Sequence, residues 1–224
     1  NLAGLEMDNP VVPASGTFGF GKEFKDIYDI NILGSFSFKG TTKDARFGNP
    51  TPRIAECTSG MINAVGLQNP GVDHFIEKDL PWLKKQGTVI IANIAGNTQE
   101  EYGQMAEKLS DTDIDMIELN ISCPNVKSGG VAFGTSCESV ANITKYVRDH
   151  CKKPLIVKLS PNVTDIAEIA KSAEANGADA ISMINTLTGM RIDINTGRPI
   201  IKNNTGGMSG PAIFPVAVLS LIHI

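Results

Sequence analysis

What this chain lacks narrows the field first. Its four cysteines, Cys57, Cys123, Cys137 and Cys151, form no CxxC pair and have no nearby histidine set. That argues against a zinc site or a disulfide framework and for reduced thiols. There is no dense Lys/Arg run, and a formal net charge of -4 leaves no nucleic-acid footprint. No apolar tract is long enough to span a bilayer, and no charged-then-apolar leader opens the sequence. A metal, a nucleic-acid partner and a membrane span are therefore not expected, and a cytoplasmic location is. What remains, 224 residues at 42% hydrophobic, can bury a substantial core in one domain or two.

Taken in order, residues 2–7 and 11–14 are short apolar segments around the turn signal Asp8-Asn9-Pro10, which predicts an opening hairpin leading into a first strand. Gly19-Phe20-Gly21 only half-matches a dinucleotide fingerprint, because Phe24 stands where the third glycine belongs. A helix is expected over 22–29 and a strand over 32–38. Residues 43–70 read as a long irregular stretch interrupted at 53–56, and 72–85 as a helix troubled by Pro81. From residue 88 the alternation is regular. Strands are expected over 88–94, 116–119, 155–159 and 180–184, with helices over 98–109, 138–150 and 164–175, the last capped by Thr164. Such alternation implies parallel βαβ units. Lys39, Asn93, Asn120, Lys158 and Asn185 fall at or near successive strand ends, the face on which a β/α barrel builds its site.

The stretch Asn120-Ile121-Ser122-Cys123-Pro124-Asn125, followed by Gly129-Gly130, carries the chemistry. Two amides bracket one thiol, and Pro124 stiffens the turn. Amides can hold a flat polar ligand, and a thiol beside it can exchange a proton. The residue types alone also allow a buried structural cysteine next to a turn proline. Strand-end polarity in general explains some asparagines but not two lysines in apolar strands.

Together with Asn63-Ala64-Val65-Gly66-Leu67-Gln68-Asn69-Pro70-Gly71 and Pro13-Ala14-Ser15-Gly16-Thr17-Phe18-Gly19, this motif resembles dihydroorotate dehydrogenase, most closely the NAD-linked class 1B form, from Leu2 to about Pro215. Class 2 enzymes use a serine as the base, so Cys123 points to class 1. The resemblance implies a single-domain FMN-binding TIM (β/α)8 barrel over 1–224 that oxidises dihydroorotate to orotate in pyrimidine synthesis. Cys123 would be the base. Lys39, Asn63, Ala64, Val65, Gly66, Leu67, Asn120, Asn185 and Thr186, joined by Asn125, would cradle the substrate. Ser15, Lys39, Gly40, Asn93, Asn120, Lys158, Ile184 and Gly210 would hold FMN. Gly129-Gly130 would belong to a mobile lid, though the pair also suits a plain surface turn. A Schiff base on Lys158, as in barrel aldolases, would leave the cysteine motif unexplained. Class 1B further implies a homodimer core joined to a partner subunit that carries FAD and an iron–sulfur cluster, in a heterotetramer. The fumarate-using class 1A form, a dihydropyrimidine dehydrogenase-like barrel and a non-catalytic barrel fragment are the alternatives.

Against the family's eight strands, about six are counted here. Residues 219–224 do not resemble the family's continuation, and the glycine-rich loops that bind the flavin phosphate are not found. The expectation is a C-terminally truncated barrel.

Overall fold

The structure, a computed structural model, describes residues 1–123 and 133–223. The chain opens on a tight turn rather than the expected hairpin: Leu2 and Leu5 exchange backbone hydrogen bonds at 2.8 and 2.9 Å, and residues 11–14 form no strand. Asn9 turns the chain instead, its Oδ1 accepting from the Val11 and Gly34 N–H groups at 3.0 and 3.1 Å.

Helix α1 (Lys22–Lys25) and a 3-10 turn over Ile30–Ile32 lead into β1 (Ser35–Ser37). The stretch 43–70 is not irregular, because β2 (Ile54–Cys57) and β3 (Gly60–Asn63) pair antiparallel within it. The next helix forms as α2 (Val72–His74), a π-helical turn over Phe75–Asp79, and α3 (Leu80–Lys84). Pro81 has no N–H for the preceding turn, and the widened π spacing sits immediately before it.

The regular part follows expectation: β4 (Val89–Ile94), α4 (Gln99–Ser110), β5 (Met116–Asn120), α5 (Cys137–His150), β6 (Leu155–Lys158), α6 (Ile166–Ala175) and β7 (Ala180–Ser182). Helix α4 buries Tyr102, Met105, Ala106 and Leu109, and α5 buries Val140, Ile143 and Val147, each a stripe at helical spacing. Both stripes pack on outward residues of the strands, such as Ile117, Leu119, Leu155 and Val157. Each Val, Leu, Ile or Met side chain among them, fully buried, contributes about 1.5–3 kcal/mol. The cap of α6 differs from the expected Thr164. Asp165 accepts from the N–H groups of Ala167 and Glu168 at 2.9 and 3.2 Å, a carboxylate also being favoured by the helix dipole.

Among the described residues the parallel sheet has five strands in the order β1-β4-β5-β6-β7, curled like part of a TIM barrel. The sixth expected strand is the 11–14 segment, which runs extended beside β1 without joining the ladder. The concave face of the sheet begins with an apolar floor, where Leu2, Ala3 and Leu5 pack on Ile91, Met116 and Ile156. Beyond β7 come β8 (Leu187–Met190), the short pair β9 (Ile192–Asp193) and β10 (Arg198–Pro199), β11 (Thr205–Ser209) and α7 (Phe214–His223). Strands β2-β3-β11-β8 form a second, antiparallel sheet at the C-terminal end of the first.

Candidate active site

Cys123 follows β5 by three residues and is only 7% exposed, so the thiol faces the interior of the strand-end surface. It lines a cavity of ≈ 330 Å³. The parallel strands contribute Lys39 and Gly40 after β1, Asn120 and Cys123 from β5 and its loop, Lys158 from β6, and Asn185 and Thr186 after β7. Ser15 enters from the loop before α1, while Asn63, Val65, Gly66 and Leu67 come from β3 and its loop. Chain segments far apart in sequence thus converge on one space.

Local chemistry explains how each arrives. The 63–71 loop is pinned to the end of β1 by Asn69, whose side chain accepts from Thr42 N–H at 3.1 Å and donates to Thr42 Oγ1 at 2.8 Å. Asn63 donates to Gly207 O at 3.3 Å, tying the loop to β11. Gly207 itself allows close approach, since a Cβ there would lie 1.9 Å from Thr186 Oγ1. Lys158 is buried to 8% exposure, and its Nζ bonds Ser15 Oγ at 3.4 Å. At Lys39, burial pulls the pKa below the ordinary lysine value, the charge of Cys123 opposes that fall, and Arg53 adds to it.

Several expected residues stand apart from this cavity. Asn93 lies fully buried beneath it, and Ala64 is buried with its carbonyl taken by Asn49 Nδ2 at 3.0 Å. Ile184 and Gly210 line an adjoining cavity of ≈ 250 Å³, which shares Asn185, Thr186 and Ser209 with the first. Asn125 and the Gly129-Gly130 pair lie outside the described residues. A larger cavity of ≈ 450 Å³ between the start of α6 and α7 contains no cation, thiol or amide and is not the site.

One residue of the site region escapes the sequence reading. Glu118, in the middle of β5, is buried and accepts hydrogen bonds from Ser37 Oγ and Ser182 Oγ at 2.7 Å each, and from Asn93 Nδ2. Burial works to raise its pKa, but the Lys158 ammonium and these three bonds outweigh it and hold the carboxyl below its usual range. An acidic residue inside the apolar run Met116-Ile117-Glu118-Leu119 is the signal that could have found it.

The donor set fits a flavin. Gly40 keeps open a space that a side chain would fill, since a Cβ there would come within 2.8 Å of Asn93 Oδ1 and 3.2 Å of Leu67. A buried ammonium and several amides surround that space, suiting a planar, polar, anionic-on-reduction ring.

The family model for dihydroorotate dehydrogenase matches residues 1–224, beyond the Pro215 limit read from motifs alone. Among curated relatives, the chain is 55% identical over its whole length to "Dihydroorotate dehydrogenase B (NAD(+)), catalytic subunit" of Geobacillus kaustophilus (strain HTA426), covering 72% of that protein. It is 59% identical to the identically named protein of Alkaliphilus metalliredigens (strain QYMF), covering all of this chain and 74% of that one. The corresponding protein of Bacillus pumilus (strain SAFR-032) is 56% identical over 223 residues, 99% of this chain and 72% of the relative.

Proposed function

The chain belongs to the dihydroorotate dehydrogenase family, and we propose that its ≈ 330 Å³ cavity is where dihydroorotate is held and oxidised, with Cys123 as the base. The activity is the flavin-dependent oxidation of dihydroorotate to orotate in pyrimidine biosynthesis. The observation that carries the site assignment is the convergence of Cys123, Lys39, Asn120, Lys158 and Asn185 on one cavity.

Oxidation removes a proton and a hydride from adjacent ring carbons. FMN, when bound, supplies the hydride acceptor. Cys123 as thiolate takes the proton and becomes a thiol, which its ordinary pKa near 8.5 makes feasible at neutral pH with little perturbation. The Lys39 ammonium favours that thiolate and pairs with the substrate carboxylate. Asn63, Asn120 and Asn185, with Thr186 and the 65–67 backbone, would offer the alternating donors and acceptors that the pyrimidine ring requires. Ala64, whose N–H and carbonyl are taken by Arg53 and Asn49, would support that loop from behind. Asn125 would join them. Ser15, Lys39, Gly40, Asn93, Asn120 and Lys158 would hold FMN, joined by Ile184 and Gly210 from the adjoining cavity. Lys158 would offer FMN a positive charge, which would favour its reduced form.

The relatives' name, a catalytic subunit, implies a partner that carries electrons onward. In our reading that partner bears FAD and an iron–sulfur cluster, NAD is the final acceptor, and a homodimer core assembles with it as a heterotetramer. The whole chain, 1–224, would act as one barrel domain. A cytoplasmic location suits this chemistry, and among the described residues no helix is long and apolar enough to cross a membrane. The NAD(+)-linked naming of the relatives favours this reading over the fumarate-using form, the dihydropyrimidine dehydrogenase-like barrel and the non-catalytic fragment.

The test is anaerobic titration of flavin-loaded protein with dihydroorotate. The yellow colour should bleach in step with the appearance of orotate. A flavin that stays oxidised under excess dihydroorotate would overturn the proposal.

A further inference from the structure

Glu118 is reached from every strand of the parallel sheet. It stands on β5, accepts from Ser37 of β1, Asn93 of β4 and Ser182 of β7, and feels the charge of Lys158 on β6. From it a chain of amides runs upward into the cavity. Asn93 Nδ2 donates to Glu118, Asn120 Nδ2 donates to Asn93 Oδ1 at 3.2 Å, and Asn185 Nδ2 donates to Asn120 Oδ1 at 3.5 Å and to Ser122 Oγ at 2.9 Å. Ser122 adds its own N–H and hydroxyl to Asn120 Oδ1, at 3.4 and 3.2 Å.

Every amide in this chain points the same way, with its NH2 toward the oxygen below. An amide turned end over end keeps its shape, so packing alone does not choose between the two directions. An ionised carboxylate can only accept. Placed at the bottom of the chain, it demands an NH2 from Asn93. That leaves Asn93 Oδ1 to demand the NH2 of Asn120, and Asn120 Oδ1 to demand donors in turn.

We infer that Glu118 is a positioning residue: it sets the donor–acceptor direction of Asn93 and, through it, of Asn120, whose Oδ1 the Ser122 N–H reaches only at 3.4 Å. Asn185 is turned the same way by the Thr186 N–H, which donates to its Oδ1 at 2.8 Å. The inference rests on the flavin and dihydroorotate reading above. Its reach into the Cys123 cavity is indirect, because Asn120 and Asn185 line that cavity while Glu118 does not. Glu118 lines instead a cavity of ≈ 240 Å³ that it shares with Lys158 and Ile184.

The experiment uses flavin-loaded protein and two variants, with orotate as the probe. Glu118→Gln keeps the shape but can present NH2 to Asn93, which permits the reversed chain. Orotate binding, read from the perturbation of the flavin spectrum, should weaken about tenfold or more, the scale expected for misdirected buried polar groups. Adding Asn93→Asp should restore it. The carboxylate introduced at position 93 can then accept both from the amide introduced at position 118 and from Asn120. Asn120 thereby regains its direction, and the Ser37 hydroxyl can rotate to suit. A purely structural role for Glu118 predicts no such recovery, since the double variant departs further from the native sequence. Orotate affinity in Glu118→Gln within about twofold of wild type would overturn the inference. So would a double variant no tighter than the single. Should Glu118→Gln fail to fold, a folded double variant with near-native affinity supports the inference, and a double variant that also fails sinks it. Wild-type protein that retains FMN but ignores orotate would instead refute the reading of the site.

Discussion

Lys39 and Cys123 line one cavity from strands that are not neighbours, since β4 lies between β1 and β5, and their charges are coupled. Burial draws the Lys39 pKa down, and the negative charge of Cys123 as thiolate opposes that fall. The attraction is reciprocal. An ammonium that gains from a thiolate makes the thiolate easier to form, which is what a base at neutral pH needs.

Cys123→Ser tests the base directly. The variant should retain flavin, because the thiol is not part of the donor set around Gly40. Its rate of flavin reduction by dihydroorotate at neutral pH should fall about 10²–10⁴-fold, since a hydroxyl is a far weaker base, and should recover partly as pH rises. Stopped-flow absorbance gives the answer, and a wild-type rate at pH 7 would exclude Cys123 as the base.

Lys39 gives the assignment a second, independent signature. Its pKa lies below the ordinary lysine value because it is buried, so it loses its charge before an exposed lysine would. Dihydroorotate KM should therefore rise with pH in the alkaline range below ordinary lysine titration, as the ammonium proposed to pair with its carboxylate disappears. Lys39→Arg should move that rise to higher pH, because a guanidinium stays protonated. Lys39→Met should raise KM about tenfold or more even at neutral pH. A KM indifferent to both substitutions would remove Lys39 from the substrate cradle.

The βα alternation from residue 88 onward is legible because β4, β5 and β6 are buried on both faces and the helices on one, which imprints local patterns on the sequence. The antiparallel sheet carries no such imprint. Residues in β2 alternate only between exposed and half-buried, and β3 finds its partner β11 about 144 residues away, as the Asn63–Gly207 bond shows. Most strand-end residues of the site are legible too, because a lysine in an apolar strand demands a reason. Glu118 demands one equally, but it sits in mid-strand, away from the strand ends where a barrel builds its site. Thr164 and Asp165 are both good caps for α6, and the one-residue difference between them lies within the usual uncertainty of helix ends.

Asp165→Ala separates stability from function. It removes an acceptor from two N–H groups at the start of α6, which should cost about 1 kcal/mol by denaturant titration. Asp165 does not line the Cys123 cavity, so flavin reduction by dihydroorotate should proceed at the native rate. A loss of activity without a loss of stability would mean that α6 influences the site in a way the contacts do not explain.

Electron exit should need the partner. The flavin-loaded protein alone should be reduced by dihydroorotate yet form NADH only slowly when NAD is added, and adding the electron-transfer subunit should make NADH formation fast. Absorbance at the NADH band follows the reaction, and rapid NADH formation without a partner would refute the proposed division of labour.

Gly40→Ala probes whether the space above Asn93 is the flavin's. The added methyl would lie 2.8 Å from Asn93 Oδ1, 3.2 Å from Leu67 Cδ2 and 3.8 Å from Asn120 Nδ2. The contact with Leu67 can relax by a small rotation of that side chain. The contact with Asn93 cannot relax as easily, because its amide is held from below by Glu118 and from above by Asn120. Either the amide shifts and breaks that chain, or the 39–42 backbone lifts into the cavity and narrows it. The first route is overpacking of a packed interior and costs about 1–3 kcal/mol of stability, while the second displaces backbone into open space. Both routes weaken the same complex, so FMN should bind at least about tenfold more weakly, measured by flavin fluorescence on release. Thermal unfolding of the flavin-free protein separates the two routes: a lowered midpoint marks a disrupted amide chain, and an unchanged midpoint marks a narrowed cavity. Native FMN affinity with an unchanged midpoint would mean that the flavin ring does not occupy the space that Gly40 keeps open.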